Sequence, residues 1–99
     1  MNNTEKKGVS SKLAVMRQFT EDGYYVYNET NNTGPVDFVA INSDSGKVRL
    51  IEVKTMSFRR KGPQKTVMIN RSLSPVQKSL GVEMVYFNLD TGECKWKKL

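Results

Sequence analysis

Three side chains in this sequence have the types and spacing to work together: Asp37, Glu52 and Lys54. Glu52 and Lys54 stand two apart in VRLIEVKT, residues 48–55, a run that reads as a β-strand. Strand side chains alternate faces, so these two charges project together while Ile51, Val53 and Thr55 go to the opposite face. Asp37 follows Gly34, Pro35 and Val36 at the start of VDFVAIN, residues 36–42, which reads as the preceding strand. If the turn NSDSG pairs the two strands, two carboxylates converge on one hard cation with an ammonium beside them. Such a cluster costs stability, because like charges repel and a desolvated ion is expensive unless paired or metal-bound. A magnesium ion would relieve that cost. Held by Asp37 and Glu52, it would polarise a phosphodiester and help generate hydroxide, while Lys54 would orient or deprotonate the water or neutralise the developing charge. The plain alternative is a solvent-exposed Glu52–Lys54 ion pair, worth only about 0–1 kcal/mol and needing no function.

Composition narrows the chemistry. The chain has 99 residues, with 16 Lys and Arg against 10 Asp and Glu, a net charge of +6. That length fits one domain over residues 1–99, and the polar start, residues 1–8, is expected to be flexible. A basic balance favours polyanionic partners. There is no histidine and Cys94 is the single cysteine, so an intramolecular disulfide, a zinc finger and a histidine-based triad are excluded. Any metal would be a hard cation held by oxygen. No run approaches the roughly 18 apolar residues of a membrane span, and MNNTEKKG lacks a signal-peptide core. A cytoplasmic chain with no membrane partner is expected, and a phage source is open.

The elements that must position the three residues follow from periodicity and breakers. SSKLAVMRQFTEDG is read as a helix with Ser10 or Ser11 as cap, an apolar stripe of Leu13, Ala14, Val15, Met16 and Phe19, and Gly23 as stop. YYVYN is a strand whose Tyr24, Tyr25 and Tyr27 are expected to pack in the sheet rather than stack on bases. VDFVAIN and VRLIEVK follow as a hairpin. MSFRRKGPQK reads as a mobile basic loop and TVMIN as a short strand. SLSPVQKSLG reads as a short helix capped by Ser74, with Pro75 first and Gly81 closing it. EMVYFNLDTGECKWKK is a second hairpin turning at Asp90, Thr91 and Gly92, and Cys94 is read as a structural thiol. The order is α+β, or α/β if the last strands join the first sheet in parallel.

GPVDFVAIN followed by VRLIEVKT resembles the core of the PD-(D/E)xK nuclease superfamily. Within it, the order KG, helix, GYYV strand, GPVD, IEVKT and SPVQ helix is most similar to archaeal Holliday junction resolvases and small VRR-NUC-type nucleases, over about Lys7 to Tyr86. The resemblance implies a restriction-endonuclease-like core, a central mixed sheet flanked by helices. It also implies a magnesium-dependent DNA endonuclease, with manganese as a substitute, acting on branched or junction DNA as a homodimer in recombination and repair. It carries catalytic roles to Asp37, Glu52, Lys54 and Gln77, and metal contacts to Asp37, Glu52 and Val53. The sequence departs from the pattern at Lys12, where resolvase-like members carry a helix glutamate that completes the metal site. This leaves as the alternative a weak or inactive DNA-binding module of the same fold.

The charge pattern points to nucleic acid separately. No acidic residue lies between Glu52 and Glu83, whereas Lys54, Arg59, Arg60, Lys61, Lys65, Arg71 and Lys78 do. With Lys7 and Lys12, all of these except the catalytic candidate Lys54 form the expected backbone-binding set, and FRRKG is the expected clamp. Phosphate contacts of this kind give affinity without base readout.

Overall fold

The computed structural model describes residues 3–31, 33–60, 62–63 and 66–96. A helix, α1 (Asn3–Glu21), precedes three strands, β1 (Tyr24–Asn28), β2 (Phe38–Asn42) and β3 (Val48–Thr55). Two short strands, β4 (Phe58–Arg60) and β5 (Thr66–Met68), lead to α2 (Pro75–Leu80), and β6 (Glu83–Phe87) and β7 (Cys94–Trp96) complete the described chain. The main sheet has the order β1-β2-β3-β6-β7, and β4 and β5 pair only with each other. β6 joins β3 in parallel, with Glu52 opposite Met84 and Lys54 opposite Tyr86, while the other neighbours are antiparallel. The sheet is therefore mixed, and the fold is α/β with helices on its two faces.

Strand alternation divides the core in two. Ile51 and Val53 of β3, Phe38 and Ala40 of β2 and Val85 of β6 bury against Val15 and Phe19 of α1. On the opposite face Met84 and Tyr86 pack with Leu73 and Val82, joined by Leu50, Met56 and Met68. Glu52 and Lys54 share that second face by the period of two. Burying the larger of these apolar side chains contributes roughly 1.5–3 kcal/mol each, which fixes the β3 register, because a one-residue slip would exchange its two faces.

Both hairpins of the main sheet are closed by the same device. Asn42 Oδ1 accepts from the amides of Asp44 and Ser45, and Gly46 closes the turn at φ 73°. Asn88 Oδ1 does the same for Asp90 and Thr91, with Gly92 at φ 76°. Asparagine mimics a backbone acceptor and glycine takes the left-handed conformation without a Cβ penalty.

Three expectations change. The first helix begins at Asn3 instead of Ser10 or Ser11, so most of the start expected to fray forms its first turns. Its buried stripe is Ser11, Val15 and Phe19, four residues apart, with Leu13 turned out at 58% exposed. Ser11 belongs to this stripe because its hydroxyl is satisfied by the Thr55 hydroxyl at 2.7 Å. The basic segment after Thr55 is a hairpin, with Phe58 opposite Met68 and Arg60 opposite Thr66, anchored by Met68 on the second core. Finally, only Tyr24 of the three tyrosines packs against the core; Tyr25 and Tyr27 are 60% and 56% exposed on the other face of β1.

Candidate active site

The edge between β2 and β3 creates the site. Asp37 is the residue before β2, and its amide donates to the Ile51 carbonyl at 2.9 Å, the last rung linking the two strands. Backbone groups two residues apart on a strand point the same way, so the amide of Val53 also faces β2, beyond the point where β2 ends. A vacant N–H there would cost about 1–3 kcal/mol. The Asp37 carboxylate fills the position: its Oδ2 accepts from Val53 N at 2.6 Å. One residue thus supplies both the final rung and its side-chain continuation. The Val53 carbonyl lies on the same open side as its amide, beside Asp37.

Glu52 projects from the next position on β3 and is only 8% exposed. Its Oε1 lies 3.3 Å from the Lys54 ammonium, and its Oε2 accepts from Gln77 Nε2 at 3.3 Å. Burial pushes the Glu52 carboxyl above its ordinary range, and the charge of Asp37 pushes further; Lys54 pulls it back, and Glu29 adds a smaller upward push. The carboxylate is thus held in a place where its charge is disfavoured despite an ammonium at contact distance.

Gln77 ties the second helix to this cluster. Ser74 Oγ accepts from the Gln77 amide, and Gln77 Oε1 accepts from the Ser74 amide at 2.9 Å, a reciprocal capping box. Its Nε2 donates to the Pro35 carbonyl at 2.9 Å as well as to Glu52. All three of its polar functions are occupied, so the side chain has no freedom to leave. The helix needs this anchor because it buries none of its own residues. The loop before Asp37 is fixed from the other side by Glu29, whose Oε1 accepts from the amides of Thr33 and Gly34. A Cβ at Gly34 would stand 2.9 Å from that oxygen.

Of the four residues expected to act together, Glu52 contacts Lys54 and Gln77 directly, and Asp37 binds the backbone amide of Val53 between Glu52 and Lys54, near enough for its charge to act on Glu52. The basic residues divide. Lys7, Lys54 and Arg71 line an open cleft of about 760 Å³ that begins at Val53 and Lys54. Arg59 stands exposed on β4, Lys78 is exposed on α2, and Lys12 is half-buried on α1 next to Ser11. Lys61 and Lys65 lie outside the described residues, as does the side chain of Arg60. Sequence reasoning marked Ser74 as a helix cap but did not single out Glu29 as a support of the site. Ser74 and Gln77 at S-x-x-Q spacing carry the capping-box signal in full. No sequence signal marks Glu29.

Among the described residues no group of three or more acidic, cysteine or histidine side chains assembles. The oxygen donors at the site are therefore the carboxylates of Asp37 and Glu52 and the carbonyl of Val53. They suit magnesium, which binds through one or two carboxylates, keeps several waters and takes the rest of its shell from phosphate oxygens. The disfavoured charge on Glu52 is the feature a divalent cation would relieve.

No family model matches the chain, and no curated protein matches its sequence. Among solved structures it is similar to a bacterial homing endonuclease, I-Ssp6803I, with a TM-score of 0.69 at 17% identity. The match covers 98% of this chain and 66% of that one, so the chain spans slightly under two thirds of the endonuclease's length. No helix among the described residues is long and apolar enough to cross a membrane. At this identity the likeness is one of fold: the mixed sheet that carries Asp37, Glu52 and Lys54 is shared with an endonuclease.

Proposed function

We propose that this chain is a metal-dependent endonuclease that hydrolyses phosphodiester bonds in DNA. The observation that carries the reading is the meeting of Glu52 and Lys54 of β3 with Gln77 of α2, and of Asp37 with the Val53 amide between them, on a fold similar to that of an endonuclease. Asp37, Glu52 and the Val53 carbonyl would hold the ion. Bound magnesium supplies Lewis-acid polarisation of the phosphoryl oxygens and lowers the pKa of a coordinated water.

The chain's own residues do the rest. The Val53 amide fixes the orientation of the Asp37 carboxylate, and Gln77 fixes that of Glu52. Lys54 places an ammonium where negative charge develops on the pentacovalent phosphate, stabilising it electrostatically, or holds the attacking water by hydrogen bonding. Its 3.3 Å contact with Glu52 keeps it in place before substrate arrives. Cations from α1, β3 and the segment before α2 give backbone affinity without base readout, which suits selection by DNA shape. Branched or junction DNA is the substrate class we favour, with two copies of the chain supplying one site per strand. Lys12, standing where resolvase-like members place a glutamate, favours a second reading, a DNA-binding module without cleavage.

The test is incubation with end-labelled four-way, flap and linear duplex DNA in magnesium, manganese or EDTA. Metal-dependent nicking, lost in Asp37→Asn and Glu52→Gln with binding retained, is expected. Salt-sensitive binding without nicking in either metal would install the second reading, and no binding at all would remove both.

A further inference from the structure

Tyr86 is 2% exposed, yet its hydroxyl reaches the chain segment before α2. The Arg71 amide donates to Tyr86 Oη at 2.6 Å, and Oη donates back to the Arg71 carbonyl at 3.2 Å. One phenol therefore holds both backbone groups of a single residue. Tyr86 is also the β6 residue paired with Lys54 in parallel register, on the same sheet face. The cleft that begins at Val53 and Lys54 is lined by Arg71 on this segment and by Lys7 on α1. Lys7 is placed from the far wall: its carbonyl accepts from the Thr55 hydroxyl at 3.3 Å, and that hydroxyl meets buried Ser11. Asp90, at the β6–β7 turn, is the acidic residue on the same lining.

We infer that this cleft is a subsite for a nucleic-acid backbone phosphate next to the one being cut, and that Tyr86 is a positioning residue that sets Arg71 in it. The inference rests on the nuclease reading. Its physical basis is that three cations from separate parts of the chain line one cleft with Val53, Lys54 and Thr55 of β3, and that the segment bearing Arg71 belongs to no helix or strand. Arginine recognises phosphate through a planar fork whose value depends on the backbone that aims it. A segment without ladder bonds needs another support, and the Tyr86 hydroxyl supplies it. Tyr86 touches no substrate in this scheme; it acts through Arg71.

The test is binding of a duplex and a four-way DNA to the full chain in calcium, with affinity measured against salt for wild type, Arg71→Ala, Tyr86→Phe and the double variant. Loss of one phosphate contact lowers the slope of log affinity against log salt by about 0.9, so Arg71→Ala should lose about that much slope and several-fold in affinity near physiological salt. Tyr86→Phe should weaken binding about threefold, and add nothing to the loss in Arg71→Ala, because its effect passes through that side chain. Circular dichroism of each variant checks that the sheet persists; Tyr86→Phe keeps the buried ring and removes only the hydroxyl, and Tyr86→Leu serves as a second variant without the hydroxyl. Additive losses, or an unchanged slope in Arg71→Ala, would overturn the inference while leaving the nuclease reading standing. Absence of DNA binding by wild type would overturn both.

Discussion

Glu52→Gln should stabilise this protein at neutral pH, and the size of the effect follows from what surrounds the carboxylate. Three influences compete. The Lys54 ammonium at 3.3 Å would attract a fully charged Glu52 by about 5 kcal/mol at an effective dielectric of about 20. The Lys54 side chain is 44% exposed, however, so the realised gain falls to about 0–1 kcal/mol. Against it stand the desolvation of a carboxylate that is almost wholly buried and the neighbouring charge of Asp37. Because the carboxyl titrates above its ordinary value of 4.5, the opposing pair wins. Removing the charge should therefore stabilise the fold. For a chain of this size each kcal/mol so gained raises Tm by about 4–8 °C. The sign with pH is fixed. A carboxyl that titrates higher when folded binds its proton more readily in the folded state, so the contribution of Glu52 to stability is fullest below 4.5 and is lost as pH rises through the folded value. The advantage of Glu52→Gln should therefore vanish in acid and grow toward neutrality. Magnesium should reverse the order: at ten times its dissociation constant it would stabilise wild type by about 1.4 kcal/mol and the variant by much less. Thermal melts from pH 3.5 to 8, with and without magnesium, read all of this. A variant less stable than wild type at pH 7.5, with the same pH profile, would refute the balance argued for Glu52.

The other predictions concern the supports. Asp37→Ala leaves the Val53 amide without its 2.6 Å acceptor and should cost about 1–3 kcal/mol in chemical denaturation, with nicking abolished. Ser74→Ala and Gln77→Ala both break the capping box and should each cost about 1 kcal/mol, but only Gln77→Ala frees Glu52, so nicking rates should fall much further in that variant. Lys12→Glu restores a carboxylate at the position where resolvase-like nucleases carry one; titration calorimetry should show tighter manganese binding, and an unchanged isotherm would mean that α1 does not present that position to the metal.

The sequence made the cluster legible because its geometry depends on the shortest-range rule available, the alternation of strand side chains. Glu52 and Lys54 share a face for any strand containing them, and the NSDSG turn then brings Asp37 to the end of the neighbouring strand. What escaped had no local period. TVMIN reads as a short strand and β5 lies within it, but FRR is too short to show alternation, so β4 reads as part of a mobile loop; its pairing with β5 is supported instead by Met68 packing on the second core. The start of α1 was placed late because Ser11 looked like a cap. A serine can cap a helix or fill a buried position, and only the Thr55 hydroxyl, 44 residues away, decides for burial. Tyr25 and Tyr27 were read as packed because aromatic residues favour strands, yet propensity does not say which face of a sheet is covered.

The same strand end explains why the site lies where it does. Where a ladder stops, backbone groups are left for side chains to satisfy. The β2–β3 ladder stops at Asp37, just before β2, while β3 runs on through Glu52, Val53 and Lys54, which leaves the Val53 amide and carbonyl facing a gap. Filling the gap with Asp37 satisfies the amide but adds a negative charge beside Glu52, so the contact that completes the fold is the one that strains the carboxyl pair. Gln77 and Lys54 soften this without removing it, because an amide donor carries no net charge and the ammonium is half in water. A cation at the gap would remove it. On the proposed reading the folding cost and the affinity for a cation would have one origin, and a substitution at Asp37 or Glu52 that relieves the first should lower the second.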